Sequence, residues 1–224
     1  MATTPDRPDP HVERLRRLDS CAVSDACDSL GIEGRVSVSL RPLTGPARVG
    51  GRVITVELGP AGDEASTVHL CAGATDATDA DSVIVIAHQG RTDAAGWGGN
   101  LSRAARRRGA AGTLVDGAAR DIDEAIDIGY PVFATSTTPR TARGRVQERC
   151  WGQGIVFDGV AVEQGDFVLA DSTGVVFLPA ERAGEVLDVA EAIAAKEAAM
   201  AEAIDAGAPV SEVMGAGYER MLER

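Results

Sequence analysis

Aromatic residues and long apolar segments are both scarce in this sequence. Aromatic residues make up 4% of the 224 residues, so a core must be built from Ala, Val, Leu and Ile. No window approaches the roughly 20 apolar residues that a membrane-spanning helix needs. The N-terminal segment MATTPDRPDPHVERLRRL carries proline and charge without the apolar centre of a secretory signal peptide. We therefore expect a cytoplasmic protein without a membrane partner.

Cysteine and histidine are also rare, with four and three residues respectively. No two cysteines form a Cys-x-x-Cys pair, and no histidine lies near one at zinc-ligand spacing. The simpler interpretation is that the cysteines are free thiols in a reducing compartment. A metal in this protein is therefore expected to be a hard cation held by carboxylates and water.

Basic residues are outnumbered by acidic ones. Lys and Arg total 22 against 34 Asp and Glu, which gives a formal net charge of −12. A protein that binds along nucleic-acid phosphates needs a basic surface, so nucleic acid is not an expected partner. The length suits one sizeable domain. Residues 1–10, rich in Pro and Asp, predict a disordered tail, and residues 11–224 a single domain.

Hydrophobic patterns predict an α/β fold with a long C-terminal helix. Residues 11–30 have helical spacing and stop at Gly31, a plausible residue after a helix end. Apolar runs typical of strands cover residues 49–58, 82–87, 112–116, 131–135, 154–157, 165–170 and 174–179. Gly117 is predicted to turn the chain after one of them. The Ala-rich residues 181–206 predict the long helix.

The central part alternates strands with helices. The first predicted helix has Leu101, Ala104, Ala105 and Arg108 at helical spacing and ends at Gly109, and the second covers residues 122–128. Such a series favours parallel strands joined by right-handed crossovers. Parallel strands place their outgoing loops at one edge of the sheet, where α/β proteins tend to bind ligands. The loop that ends in Asn100 and the turn over residues 116–121 are therefore predicted to open on the same side.

The first of these loops ends in Trp-Gly-Gly-Asn, residues 97–100, directly before a helix. Glycine lets the backbone approach a ligand closely, and the helix start offers unpaired amides with a partial positive charge. This combination suits a small anion such as a carboxylate. The alternative is a plain turn in which Asn100 or Ser102 caps the helix, and the motif alone does not decide between them.

The second loop contains an Arg-Asp pair. Arg120 offers a planar fork that can bind a carboxylate or an enolate oxygen, and Asp121 offers an oxygen ligand to a cation such as Mg²⁺. Two structural alternatives stay open. Asp121 would cap the next helix in a capping box with Glu124, and Arg120 would be its salt-bridge partner. The position opposite the glycine-rich helix start favours a ligand site.

Residues 97–134, WGGNLSRAARRRGAAGTLVDGAARDIDEAIDIGYPVFA, resemble the RraA-like family, which includes class II 4-hydroxy-4-methyl-2-oxoglutarate aldolases and regulators of ribonuclease activity. Weaker similarity covers SDACDSLG at 24–31, LTGPARVGGRVITVE at 43–57 and GDFVLADSTGVVFLP at 165–179. The resemblance implies a swivelling β/β/α domain. It also implies a homotrimer or a hexamer built from two trimers, with the active site at a subunit boundary.

The resemblance implies roles for individual residues. In the aldolases, the Arg of the Arg-Asp pair binds the pyruvate part of the substrate and the Asp holds Mg²⁺ or Mn²⁺, which implies these roles for Arg120 and Asp121. The loop before the helix supplies backbone amides to the same ligand, and the matching residues here are Gly98, Gly99, Asn100 and Leu101. A Glu on the C-terminal helix of an adjacent chain approaches the cation, and Glu197 is the best match.

One position departs from the family pattern. The aldolases usually carry an acid twenty-one residues before the Arg, where this chain has Gly99. That acid supports proton transfer, so the resemblance implies that this step is weakened or changed. Loss of one preorganised catalytic group commonly costs about 10²–10³-fold in rate. Asp93, in the same loop, is a candidate replacement.

The residues and the resemblance together lead to three hypotheses about the function. The leading hypothesis is a Mg²⁺- or Mn²⁺-dependent carbon–carbon lyase that cleaves a 4-hydroxy-2-oxo acid or decarboxylates oxaloacetate through a pyruvate enolate. The second is a non-catalytic regulator that binds an RNA-processing enzyme. Members of that kind need not keep the Arg-Asp pair, so Arg120 and Asp121 favour the enzyme. The third is a different reaction on a related acid in the same pocket.

Overall fold

The first elements of the described chain are two short helices, where the sequence pattern predicts one. In the computed structural model, which describes residues 8–33, 35–62 and 69–215, α1 covers Pro10–Leu15 and α2 covers Ser20–Ser29. Asp19 accepts a hydrogen bond from the amide of Ala22 and starts the second helix. The single helix predicted over residues 11–30 was therefore wrong.

The predicted N-terminal tail extends too far. Asp9 caps α1 by accepting a hydrogen bond from the amide of His11, and its carboxylate also pairs with Arg52 at 2.6 Å. Pro10 occupies the first position of the helix, where its missing N–H is not needed. Residues 1–7 of the predicted tail lie outside the described residues.

The remaining elements form a mixed α/β fold. The strands are β1 (Val36–Ser37), β2 (Arg41–Pro42), β3 (Val49–Pro60), β4 (Ser82–Ala87), β5 (Ala95–Trp97), β6 (Gly112–Ala119), β7 (Val132–Thr137), β8 (Val146–Trp151), β9 (Ile155–Phe157), β10 (Val160–Val162), β11 (Phe167–Ala170) and β12 (Val175–Leu178). The helices are α3 (Ala72–Asp76), α4 (Gly99–Arg108), α5 (Ile122–Asp127), α6 (Ala183–Asp205) and α7 (Val210–Val213). The helix α6 is the long C-terminal helix that the Ala-rich segment predicts.

The main sheet has the order β1-β12-β11-β3-β4-β6-β7-β2, with β5 paired to β6 and β8 paired to β3. The strands β4, β6 and β7 are parallel, which confirms the prediction for the central segment, and β3 extends this parallel part of the sheet. The strands β11, β12 and β1 continue the sheet in antiparallel order. The loops that follow the parallel strands therefore lie at one edge of the sheet.

The central strands are buried on both faces, which explains their unbroken apolar sequence. In β4, Ile84 and Ile86 pack into one core cluster with α3, α4 and α5, whereas Val83 and Val85 pack into a second cluster with β9 and β10. A third cluster joins α1, α2 and α6 to β11 and β12. None of the described helices is both long and apolar enough to span a bilayer.

The strand β6 runs further than its sequence predicts. Gly117 does not turn the chain; it lies within the strand, beside a register shift between Val115 and Ala118. A Cβ at Gly117 would lie 2.6 Å from His88 Cδ2, so glycine is required by close packing. Because the strand continues to Ala119, Arg120 and Asp121 directly follow its carboxyl end.

Candidate functional site

A cleft of about 620 Å³ lies at the carboxyl ends of the parallel strands. Its walls come from five segments of the chain, within residues 61–62, 69–70, 95–101, 120–124 and 141–147. The structure brings all the predicted amide donors and the Arg-Asp pair to this one cleft: Gly98, Gly99, Asn100, Leu101, Arg120 and Asp121. The two loops therefore open on the same side, as their positions after parallel strands predict.

The glycine-rich loop is held by a buried tryptophan. The indole Nε1 of Trp97 donates to Ser102 Oγ at 2.8 Å, and that hydroxyl donates to the carbonyl of Gly98 at 3.2 Å. Gly98 is the N-cap residue of α4, so neither Asn100 nor Ser102 caps the helix. The amides of Asn100 and Leu101 lie in the first turn, where a helix has no internal acceptor for them.

Replacement of Ser102 by alanine is expected to destabilise the protein by about 1–3 kcal/mol, because the buried indole N–H of Trp97 then lacks an acceptor. Chemical denaturation of both proteins measures this difference. Replacement of the exposed Ser172 is the matched control and is expected to stay within about 0.5 kcal/mol of the parent. Equal effects of the two substitutions would contradict the role of the Ser102 hydroxyl.

Arg120 and Asp121 pair with each other and remain open to the cleft. Arg120 Nε lies 3.4 Å from Asp121 Oδ2, and the two side chains are 38% and 41% exposed. Asp121 occupies the N-cap position of α5 with a left-handed backbone (φ 57°), and its side chain makes no capping bond there. It accepts a hydrogen bond from the amide of Gly99 at 3.0 Å instead, so the predicted capping box was wrong.

Glu124 is a cleft residue whose role sequence reasoning missed. Its carboxylate pairs with Arg103 and lies against the backbone of Gly99. A Cβ at Gly99 would lie 2.6 Å from Glu124 Cδ and 3.2 Å from Asp121 Cβ. Because residue 99 is glycine, a carboxylate from α5 occupies the space that the acidic side chain implied by the resemblance would need. The one feature of the sequence that could have indicated this role is the position of Glu124 in the first turn of the helix after Asp121.

Two further acids do not join the cleft. The carboxylate of Asp93 makes two hydrogen bonds with Arg91, at 2.9 and 2.8 Å, and is not among the cleft residues. Asp93 is therefore the wrong candidate to replace the missing acid. Asp116 is buried and accepts hydrogen bonds from the amides of His88 and Asp158; burial raises the pKa of its carboxyl to about 6.

Glu197 lies away from the cleft of its own chain. It is half-buried on α6, where burial and the nearby carboxylates of Asp19 and Asp25 raise the pKa of its carboxyl. The described cleft residues do not include it. A role for Glu197 at a bound cation therefore requires a second copy of the chain and stays a prediction.

The cleft also contains polar residues that no motif predicted. His69, Arg143 and Gln147 lie in its wall, contributed by segments distant in sequence from the Arg-Asp pair. Gln147 Oε1 accepts a hydrogen bond from the amide of Gly62 at 2.9 Å, which joins the cleft segments 61–62 and 141–147. Sequence reasoning missed them because neither segment carries a recognisable pattern around these residues.

The donor set of the cleft fits a hard divalent cation. Asp121 and Glu124 are the carboxylates among the described cleft residues, and this part of the chain contains no cluster of three or more His, Cys, Asp or Glu side chains arranged to hold a metal. Mg²⁺ usually takes one or two carboxylates and keeps several waters, and Mn²⁺ also favours oxygen ligands. Asp121, open to the cleft, would hold such an ion with Glu124 beside it.

Comparison with known proteins finds relatives that resemble this chain over most of its length. The chain is 31% identical to protein DlpA of Legionella pneumophila, over 90% of this chain and 32% of that protein, so it spans about a third of the length of DlpA. It is 28% identical to a putative 4-hydroxy-4-methyl-2-oxoglutarate aldolase of Halalkalibacterium halodurans, over 86% of this chain and 88% of the relative.

Solved structures share the fold. The structure of RraAS2 from Streptomyces coelicolor, described as an unusual member of the RNase ES inhibitor RraA protein family, matches with a TM-score of 0.76 and 26% identity. The match covers 87% of this chain and 96% of that one. The profile of the RraA-like family, described as Aldolase/RraA, matches residues 20–177. The sequence and the fold agree, and the chain belongs to the RraA-like family.

Proposed function

We propose that the protein is a carbon–carbon lyase that acts on a small 2-oxo acid with Mg²⁺ or Mn²⁺. The observation that carries this proposal is the meeting of Arg120 and Asp121 with the N-terminal turn of α4 in one open cleft. A guanidinium, a carboxylate and free helix amides are the groups needed to bind a 2-oxo acid and a cation together.

Different residues of the cleft would bind different parts of the substrate. The amides of Asn100 and Leu101 would bind the carboxylate next to the oxo group, since they lie in the first turn of α4. The guanidinium of Arg120 would donate a hydrogen bond to an oxygen at the 2-oxo acid end of the substrate. Asp121, with Glu124 beside it, would hold the cation, which when bound acts as a Lewis acid on the 2-oxo oxygen.

Both candidate reactions break the bond between C3 and C4 of the substrate. In retro-aldol cleavage the 4-hydroxyl gives up its proton and a carbonyl product leaves; in decarboxylation carbon dioxide leaves. The electron pair of the broken bond forms an enolate, which takes a proton at C3 to give pyruvate. Arg120 stabilises the negative charge that develops on the enolate, and such preorganised groups act strongly in a partly enclosed cleft.

Two features extend the proposal. The Halalkalibacterium relative named as a putative aldolase supports 4-hydroxy-4-methyl-2-oxoglutarate or a similar acid as substrate. The position of Glu197 outside its own cleft is consistent with a homotrimer or hexamer in which this residue of a neighbouring copy reaches the cation. We therefore expect the active enzyme to be an oligomer.

The regulator of an RNA-processing enzyme is the second candidate, and the name of the RraAS2 structure supports it. The acidic charge of the chain is compatible with a protein partner rather than RNA. The open Arg120–Asp121 pair in a cleft favours the enzyme, because binding a protein partner does not require an anion and cation site.

Pyruvate formation is the test of the lyase. The purified protein with Mg²⁺ is incubated with 4-hydroxy-4-methyl-2-oxoglutarate, other 4-hydroxy-2-oxo acids and oxaloacetate, and pyruvate is detected by a coupled assay. Turnover of at least one of these acids is the expected result. No pyruvate from any of them, together with a stoichiometric ribonuclease complex in a pull-down, would replace the enzyme by the regulator.

A further inference from the structure

The wall of the cleft contains a second arginine, which pairs with no carboxylate of the described residues. Arg143 is exposed and lines the same cleft as Arg120. Within the described residues its guanidinium forms no hydrogen bond or ion pair; Arg143 makes hydrogen bonds there only through its backbone N–H and carbonyl. Acidic residues outnumber basic ones by 34 to 22 in this chain, so a guanidinium in a cleft that no described carboxylate neutralises is available to an anionic ligand.

The turn that carries Arg143 is firmly attached to the protein. The amides of Arg145 and Val146 donate to the carbonyl of Ala142 at 2.8 and 2.9 Å, and Gly144 takes the left-handed conformation (φ 70°) that the turn needs. Val146 is buried in the core, and the Arg143 amide donates to Thr141 Oγ1 at 3.2 Å. The guanidinium therefore extends from a fixed backbone.

The guanidinium of Arg143 does not hold this turn in place. The neighbouring Arg145 does so, since its guanidinium donates to the carbonyls of Thr141 and Arg143. Arg91 adds a bond to the carbonyl of Arg145 at 3.1 Å. Replacement of the Arg143 side chain therefore leaves the bonds of the turn intact, and its effect on ligand binding can be separated from an effect on folding.

The lining near Arg143 is partly apolar. Ala142, directly before it, and Val146, three residues after it, also line the cleft, as do Leu70 and Leu101 from other segments. A ligand held at one end by Arg120 and the α4 amides can place its carbon chain along such apolar surface. A second charged end of that ligand would then find a cation at Arg143.

We propose that Arg143 is a specificity-determining residue that binds a second negatively charged group of the substrate. This inference rests on the proposed function, because it assumes that a 2-oxo acid occupies the Arg120 end of the cleft. Arg143 then selects 2-oxo acids with a distal carboxylate over acids of the same length without one. The guanidinium suits this task, since its planar fork forms paired hydrogen bonds with a carboxylate.

Direct binding tests the inference without turnover. Titration calorimetry of the full chain with Mg²⁺ compares 2-oxoglutarate with 2-oxopentanoate, which has the same number of carbons and lacks the second carboxylate. The parent protein is expected to bind 2-oxoglutarate about tenfold more tightly, as for one charge-assisted hydrogen-bonding group. Arg143→Gln is expected to remove this preference without weakening 2-oxopentanoate, and Arg143→Lys to keep part of it.

The matched control is Arg107→Gln, which makes the same change of charge at an exposed position of α4 outside the cleft. It is expected to preserve the preference of the parent. No preference in the parent, or an undiminished one in Arg143→Gln, would overturn the assignment of Arg143. Failure of the lyase proposal shows itself differently, as an absence of pyruvate from all the acids of the panel.

Discussion

Replacement of Arg120 by alanine is expected to reduce kcat/KM for the 2-oxo acid that the protein cleaves by roughly 10²–10³-fold. The guanidinium lies in the open cleft beside Asp121, where the enolate charge would develop. An interaction that strengthens as charge develops lowers the barrier, so kcat is expected to fall more than KM rises. Steady-state kinetics with pyruvate detection measures both constants.

Two variants distinguish the geometry of Arg120 from its charge. Arg120→Lys keeps the charge but loses the planar fork, so we expect it to recover part of the lost rate. Arg107→Ala removes an exposed arginine of α4 outside the cleft and is expected to leave the kinetics unchanged. Parental turnover in Arg120→Ala would show that this side chain does not act on the reacting end of the substrate.

The parallel centre of the fold could be predicted because its sequence pattern has one interpretation. The residues of β4 alternate between two core clusters, so both faces are apolar and the run is unbroken. The strand β8 was not predicted, because only its first residue is buried and the strand includes the polar residues Gln147, Glu148 and Arg149. Its pairing with β3 depends on tertiary contacts that local sequence does not reveal.

The other differences between the predicted and the observed elements lie at a glycine and an aspartate, because each of these residue types occurs in several kinds of local structure. Gly117 was interpreted as a turn, but the structure needs it for close packing against His88. Asp19 starts a new helix within a stretch whose spacing is helical on both sides. The local sequence pattern predicts helical periodicity well. The residue that caps a helix, or that packs closely against a glycine, depends on contacts that form only in the folded chain.

The candidate site was predictable where its residues follow the parallel strands. Arg120 and Asp121 come directly after β6, and the glycine loop comes directly before α4, so topology alone places both at one edge. Glu124 and Arg143 were not predicted. The carboxylate of Glu124 reaches the cleft because residue 99 has no side chain, and that relation between two segments exists only in the folded chain.

Replacement of Asp121 by asparagine is expected to weaken binding of Mg²⁺ or Mn²⁺ and to lower turnover by roughly 10²–10³-fold. The substitution removes the charge that a hard cation favours while keeping the size of the side chain. Binding of Mn²⁺, followed by electron paramagnetic resonance, gives a readout that is independent of turnover. Treatment of the parent protein with EDTA is expected to abolish activity, and added Mg²⁺ to restore it.

The control for this change lies two residues further along α5. Asp123 is exposed and is not among the cleft residues, so Asp123→Asn makes the same change of charge without touching the proposed cation site. It is expected to keep the Mn²⁺ affinity and turnover of the parent. Full turnover in the presence of excess EDTA would refute the role of a cation, since the side chains and amides of the cleft would then suffice to cleave the bond.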